Sequence, residues 1–175
     1  FDAFYNCQKL YSAMLSSVVT ICDRSFCGCL SLNQLTIPST TTTIGNMAFK
    51  RCISLEVVNF NPCSKLKSIG NFAFNNCDKL KIIRIPSSVV SIGDDCFKSC
   101  PCLCNVSFEY RSNLASIGEN AFRSCSGLTE IEIPASTKFI GSDAFYECSS
   151  LAKMTLPSSI DTRKIGVRAI VKVVK

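Results

Sequence analysis

Histidine and tryptophan are absent from the 175 residues. Without imidazole, no Ser-His-Asp or Cys-His pair is available to activate a nucleophile within this chain. No glycine-rich phosphate loop occurs. Charge is sparse at 18%, and two acidic pairs stand out. Asp94-Asp95 sits where a helix is expected to start, which is an ordinary place for acids. Glu130 and Glu132 flank Ile131 with no acid or base partner in view. An enzyme is therefore not expected, and neither is a cofactor. No apolar run approaches the roughly 18 residues of a membrane helix, so this segment is not expected to insert into a membrane. Residues 1–20 lack the basic start and cleavage motif of a signal peptide. The net charge of +6 is scattered, apart from Arg163, Lys164, Arg168, Lys172 and Lys175. Nucleic acid would call for a basic stripe with interleaved aromatics; here the pattern reads as a solvated surface.

Against these absences stands 47% hydrophobic content, enough to bury a core, and it is arranged as a repeat. Ile-Gly recurs at Ile44, Ile69, Ile92, Ile117, Ile140 and Ile165, and Ile21-Cys22 holds the same place without the glycine. The steps are 23, 25, 23, 25, 23 and 25 residues. A phenylalanine ladder keeps pace: Phe4, Phe26, Phe49, Phe74, Phe97, Phe122 and Phe145. A cysteine follows each, at Cys7, Cys29, Cys52, Cys77, Cys100, Cys125 and Cys148, and a leucine comes three residues after every cysteine.

Each repeated letter has a physical reading. Leu-x-x-Ile-x-Ile ends in strict alternation, which marks a strand with one face inward. Pro38, Pro86, Pro134 and Pro157 stop that strand, because proline donates no ladder hydrogen bond. The stretch that follows, such as Ser87–Ile92, reads as extended. Glycine then permits a backbone turn. Ala-Phe-x-x-Cys-x-x-Leu spaces apolar residues by three, as in one or two helical turns, with Asp94, Glu119 and Ser142 placed as caps or first-turn acids. A fixed period with a shared interior means a solenoid, in which each rung is stable only against its neighbours.

Thirteen cysteines would suggest a disulfide framework in a small secreted protein. The spacing argues otherwise. Stacked column members lie about one strand spacing apart, roughly 4.8 Å, with parallel Cβ vectors, whereas a disulfide needs Cβ atoms near 3.8 Å and a specific torsion. The ladder Cys29, Cys52, Cys77, Cys100, Cys125 and Cys148, with Cys7 before it, therefore reads as buried thiols acting as small hydrophobes. Cys22 replaces the glycine and Cys96 the alanine. Cys27, Cys63, Cys102 and Cys104 fall at variable positions expected to be exposed. Cys100-Pro101-Cys102-Leu103-Cys104 offers at most three thiolates and no histidine to complete a set, so no metal is expected.

The pattern L-x-x-I-x-I-P-x-S-V-x-x-I-G-x-x-A-F-x-x-C resembles the BspA-like leucine-rich repeats, the family that includes Treponema pallidum-type members, over essentially the whole chain. The resemblance implies a curved, right-handed β/α superhelix. It places a parallel sheet on the concave face, with short helical or extended turns behind. It also implies a non-catalytic adhesion module of a microbial surface or secreted protein, contacting extracellular-matrix or host-cell proteins. The thiol column fits a reducing compartment as well, so an intracellular interaction scaffold in the cytoplasm is the alternative.

Residues 1–175 read as one domain of about seven repeats. The alternating step exposes a two-rung block, with two-residue insertions near Asn61-Pro62-Cys63, Glu109-Tyr110-Arg111 and Ser158-Ser159-Ile160. Residues 165–175 read as a degenerate last repeat or cap, and the chain as a fragment of a longer array. The strand positions expected to face outward form two columns. One holds Asn59, Arg84, Ser107 and Glu132; the other holds Val57, Ile82, Asn105 and Glu130. Arginine beside exposed apolar residues is typical of interface anchors, which makes these eight the candidate protein-binding surface. Asn105-Val106-Ser107 is also a glycosylation sequon.

Overall fold

A computed structural model describes residues 2–160; the expectations for residues 165–175 lie outside the described residues. Within them the chain winds as a parallel β-solenoid. The two-residue β1 (Ser12–Ala13) and the four-residue strands β3 (Gln34–Ile37), β5 (Val57–Phe60), β7 (Ile82–Ile85) and β9 (Asn105–Phe108) stack on one side, and a two-stranded sheet, β11 (Glu130–Glu132) and β13 (Lys153–Thr155), continues the series. The polar stretch after each proline ends in a two-residue strand. Those strands, β2 (Thr20–Ile21), β4 (Thr43–Ile44), β6 (Ser68–Ile69), β8 (Ser91–Ile92), β10 (Ser116–Ile117) and β12 (Phe139–Ile140), form a second, six-stranded parallel sheet.

No helix occurs among the described residues, so the expected helical turns and β/α character are corrected: Ala-Phe-x-x-Cys is a non-helical third side. The reason is in the backbone. Every rung places two residues four apart in the left-handed region, for example Met47 at φ 54° and Arg51 at φ 61°, then Phe72 at 57° and Asn76 at 58°. A right-handed helix cannot run through them. Instead the N–H groups of Met47, Phe49 and Arg51 each donate to the next rung, to the carbonyls of Asn71, Ala73 and Asn75, all at 2.8 Å. Three-residue spacing of apolar side chains is thus shared by a helix and by this turn ladder, and the hydrogen bonds between rungs decide for the ladder.

Two further expectations change for the same reason. Asp94 and Glu119 cap no helix. The residue after each glycine forms a side-chain ladder instead: Asp23 Oδ1 accepts from the Asn46 N–H at 2.7 Å, Asn46 Oδ1 from Asn71 at 2.8 Å, Asn71 Oδ1 from Asp94 at 2.9 Å, and Asp94 Oδ1 from Glu119 at 2.8 Å. The repeated glycines serve this stacking and not a positive-φ turn. A Cβ on Gly70 would lie 2.7 Å from the carbonyl carbon of Gly45 and 2.8 Å from the Asn46 nitrogen, closer than atoms pack.

The three sides enclose one continuous core. Seven phenylalanine rings stack from Phe4 to Phe145, with centroids 5.0–5.3 Å apart and ring planes within 15°. Offset stacking at this spacing is favourable beyond the area it buries.

Candidate binding surface

The cysteine column is interior. Cys29, Cys52, Cys77, Cys100, Cys125 and Cys148 are buried, and all thirteen cysteines stand as thiols. Each ladder thiol donates to the carbonyl of the phenylalanine one rung back. Cys52 Sγ reaches Phe26 O at 3.2 Å, Cys77 reaches Phe49 O at 3.3 Å, Cys100 reaches Phe74 O at 3.2 Å and Cys125 reaches Phe97 O at 3.1 Å. Burial pushes the thiols up in pKa: Cys29 and Cys148 to about 11 and Cys100 to about 12, with Cys77, Cys96 and Cys125 also raised well above 9.0. These sulfurs are held protonated, as a hydrogen-bond donor must be. Cys27 is buried, which corrects its expected exposure, and Cys7 is exposed on the first rung. Cys63, Cys102 and Cys104 are exposed. Cys100 therefore faces the core while Cys102 and Cys104 face solvent.

The variable residues lie on the outside of the long-strand sheet. Alternation is strict in β3 and β7, where exposed and buried residues take turns. The register places Gln34 beside Val57, Val57 beside Ile82, Ile82 beside Asn105, and Glu130 beside Lys153. Parallel to this column, Thr36 pairs with Asn59, Arg84 with Ser107 and Glu132 with Thr155. Of the eight candidate residues, Ser107 is half-buried and the other seven are exposed. Val57 and Ile82 are 44% and 56% exposed and touch across one register pair. Arg84 stands beside them with its Nε 3.9 Å from Glu109 Oε1.

One feature of this face is invisible in any single rung. Pairing alternates. Within a two-rung block it is full: four pairs join β3 to β5, four join β7 to β9 and three join β11 to β13. Between blocks it fails. Two pairs join β1 to β3, one joins β5 to β7, and no ladder joins β9 to β11. Prolines mark all three breaks, while Pro157, which follows β13 inside a block, leaves three pairs in place. Inside a block, the residue after the second strand donates back, as Asn61 N–H to Ile37 O and Glu109 N–H to Ile85 O, both at 3.0 Å. Between blocks that place is held by Pro38, Pro86 and Pro134, which have no N–H to give. At Pro134 the sheet parts, and a cleft of about 660 Å³ opens on the outer face.

Ser107, Asn105, Glu130 and Glu132 line this cleft, joined by Tyr110 from the insertion and by Lys153. The structure thus brings four of the eight candidates to one depression and leaves Val57, Asn59, Ile82 and Arg84 on the flat face beside it. Tyr110 stands at the lip, 84% exposed, with the Arg111 guanidinium 5.4 Å from its ring centre. Glu109 accepts from the Ser87 N–H at 3.0 Å. Lys153 Nζ lies 3.5 Å from Glu130 Oε2. Sequence reasoning missed the cleft; the prolines recurring at 48-residue intervals were the signal that could have found it.

A stack of near-identical interiors beneath a varied outer face defines the class: a leucine-rich-repeat solenoid. The chain belongs to the BspA-type leucine-rich repeat family, whose repeat region matches in six copies over residues 1–110 and 101–169. A T. pallidum leucine-rich repeat protein superposes with a TM-score of 0.79 at 28% identity, over 91% of this chain and 85% of that one. The pneumococcal vaccine antigen PcpA gives 0.69 at 25% identity, over 81% of this chain and 36% of that one. A leucine-rich cell surface protein from Faecalibacterium prausnitzii gives 0.58 at 32% identity, over 78% of this chain and 42% of that one. The chain therefore spans less than half the length of the last two. No curated protein matches it. No helix among the described residues is long and apolar enough to cross a membrane.

Proposed function

We propose that the chain is a non-catalytic protein-binding module of a surface-exposed or secreted protein, taking its ligand on the outward face of the long-strand sheet. The observation that carries this reading is the register. Residues that vary from rung to rung form two columns, interrupted only between β9 and β11, over an interior that hardly varies, with the exposed pair Val57 and Ile82 and the neighbouring Arg84 at the centre. Apolar residues beside arginine are the composition of interface cores. In this reading the long-strand sheet is the concave face of a right-handed, curved solenoid, and the ligand is an extracellular-matrix or host-cell protein. Similarity to a vaccine antigen and to a cell surface protein supports a surface location and adhesion.

A second reading, an intracellular interaction scaffold, is favoured by one observation: thirteen cysteines stand as thiols. The two separate on a thiol count of protein taken from its native source. A fully reduced chain supports the scaffold, and oxidised Cys63, Cys102 or Cys104 supports the surface. A binding screen against matrix proteins with Arg84→Glu as the probe tests the face itself. Unchanged affinity for a ligand so found would remove Arg84 from the site.

A further inference from the structure

The outer face holds one unpaired acid where its pairing fails. Glu130 is met by Lys153, and Glu109 by the Ser87 N–H and Arg84. Glu132 is exposed on β11, borders the cleft, and has no ion pair among the described residues. Its register neighbour is Thr155, and Ser107 stands on the cleft's other wall; the cleft's own cations, Lys153 and Arg111, lie against Glu130 and the Tyr110 ring. Two rungs away lies the exposed Ile82, with its exposed apolar partner Val57 one rung further. The stacked rings of Phe74, Phe97 and Phe122 measure those two steps as 5.3 and 5.2 Å.

From this spacing we infer the chemistry of the ligand: an extended protein segment lying across the strands, with an apolar side chain seated on Val57–Ile82 and a lysine or arginine, four positions away and so on the same face, entering the cleft beside Tyr110 to meet Glu132. The inference rests on the sheet face being the binding face. The reach fits. Two rungs are about 10 Å at the core rings, and the outer sheet parts across the second of them; an extended chain covers roughly 3.3–3.6 Å per residue, so four residues cross the gap and return the side chain to the same face, and the cation's own length covers the offset along β11. The cleft favours the charge pair, because a carboxylate in a depression is less screened than one on an open surface. Tyr110 presents an exposed ring to the stem and head of the same cation.

The test is a library of random dodecamer peptides panned on the purified 175-residue chain. Enrichment of peptides with an apolar residue four positions from lysine or arginine is expected. Their affinity should fall about tenfold or more on Glu132→Lys, and peptides carrying glutamate in place of the cation should bind that variant better than the parent. Peptides lost on Ile82→Asp but indifferent to Glu132→Lys keep the sheet face and overturn the cation. Peptides indifferent to both overturn the face as well. Failure to enrich the motif overturns the inference. Glu132 is exposed and packs against nothing, so circular dichroism of Glu132→Lys should match the parent.

Discussion

At the scale of single residues, the ladder cysteine combines two properties that common core residues do not share. Cys77 is fully buried, as a small hydrophobe would be, and it donates to the Phe49 carbonyl at 3.3 Å. Cys77→Ala removes the sulfur and leaves that carbonyl one donor short, which should cost about 1–2 kcal/mol in urea unfolding. The pKa values give a second prediction. Folding raises these thiols, so the folded chain holds their protons more tightly than the unfolded one. Stability is whole below the unfolded value of 9.0 and falls as pH rises toward about 12, the folded value for Cys100. Melting temperatures should therefore be flat from pH 6 to 8 and drop steadily above about 9. Reactivity follows exposure. Native protein should show four fast thiols, Cys7, Cys63, Cys102 and Cys104, with the eight buried ones reacting only on unfolding. Fast reaction of Cys77 or Cys100 would contradict a packed column.

At the scale of elements, hydrogen bonds between rungs decide what side-chain spacing leaves open. The strands were legible in the sequence because alternation is a local signal: Ile82-Ile83-Arg84-Ile85 states its own inside and outside. The turn side was misread as helical because Ala-Phe-x-x-Cys carries the same spacing in both forms. What separates them is the left-handed backbone at residues such as Met47 and Arg51, which their side chains do not announce. The Ile-Gly glycines are required by the close approach of neighbouring rungs and not by backbone freedom. Gly70→Ala should destabilise the fold by about 1–3 kcal/mol or more, because its Cβ would strike the Gly45 backbone and not because of its own φ. Pro134 removes a donor where pairing is lost. Pro134→Ala restores an N–H facing the Phe108 carbonyl and should draw β9 and β11 together, read as slower amide exchange at Val106, Phe108, Glu130 and Glu132. Unchanged exchange would mean that something other than the missing N–H holds the sheet open.

At the scale of the whole molecule, division of labour follows from periodicity. Ile, Gly, Phe, Cys and Leu recur because each rung faces the same two neighbours. The outward positions meet only solvent or a partner, so they are free to differ, as Glu130 and Glu132 do from Ile82 and Arg84. The solenoid and both outward columns could thus be read from the sequence. The cleft is legible only in a pattern longer than one rung, the 48-residue recurrence of Pro38, Pro86 and Pro134, because it arises between blocks, where Pro134 has no N–H to give to the rung before it. The central claim is that recognition belongs to the long-strand sheet and not to exposed apolar surface in general. Ile82 and Phe139 provide a matched pair: they are 56% and 57% exposed, on β7 of the long-strand sheet and β12 of the second sheet. The deciding measurement is the adhesion of host cells or matrix protein to immobilised chains carrying Ile82→Asp or Phe139→Asp, each with an unchanged circular dichroism spectrum. Ile82→Asp should weaken adhesion about tenfold or more while Phe139→Asp leaves it near the parent; loss on Phe139→Asp with Ile82→Asp unaffected would contradict the account.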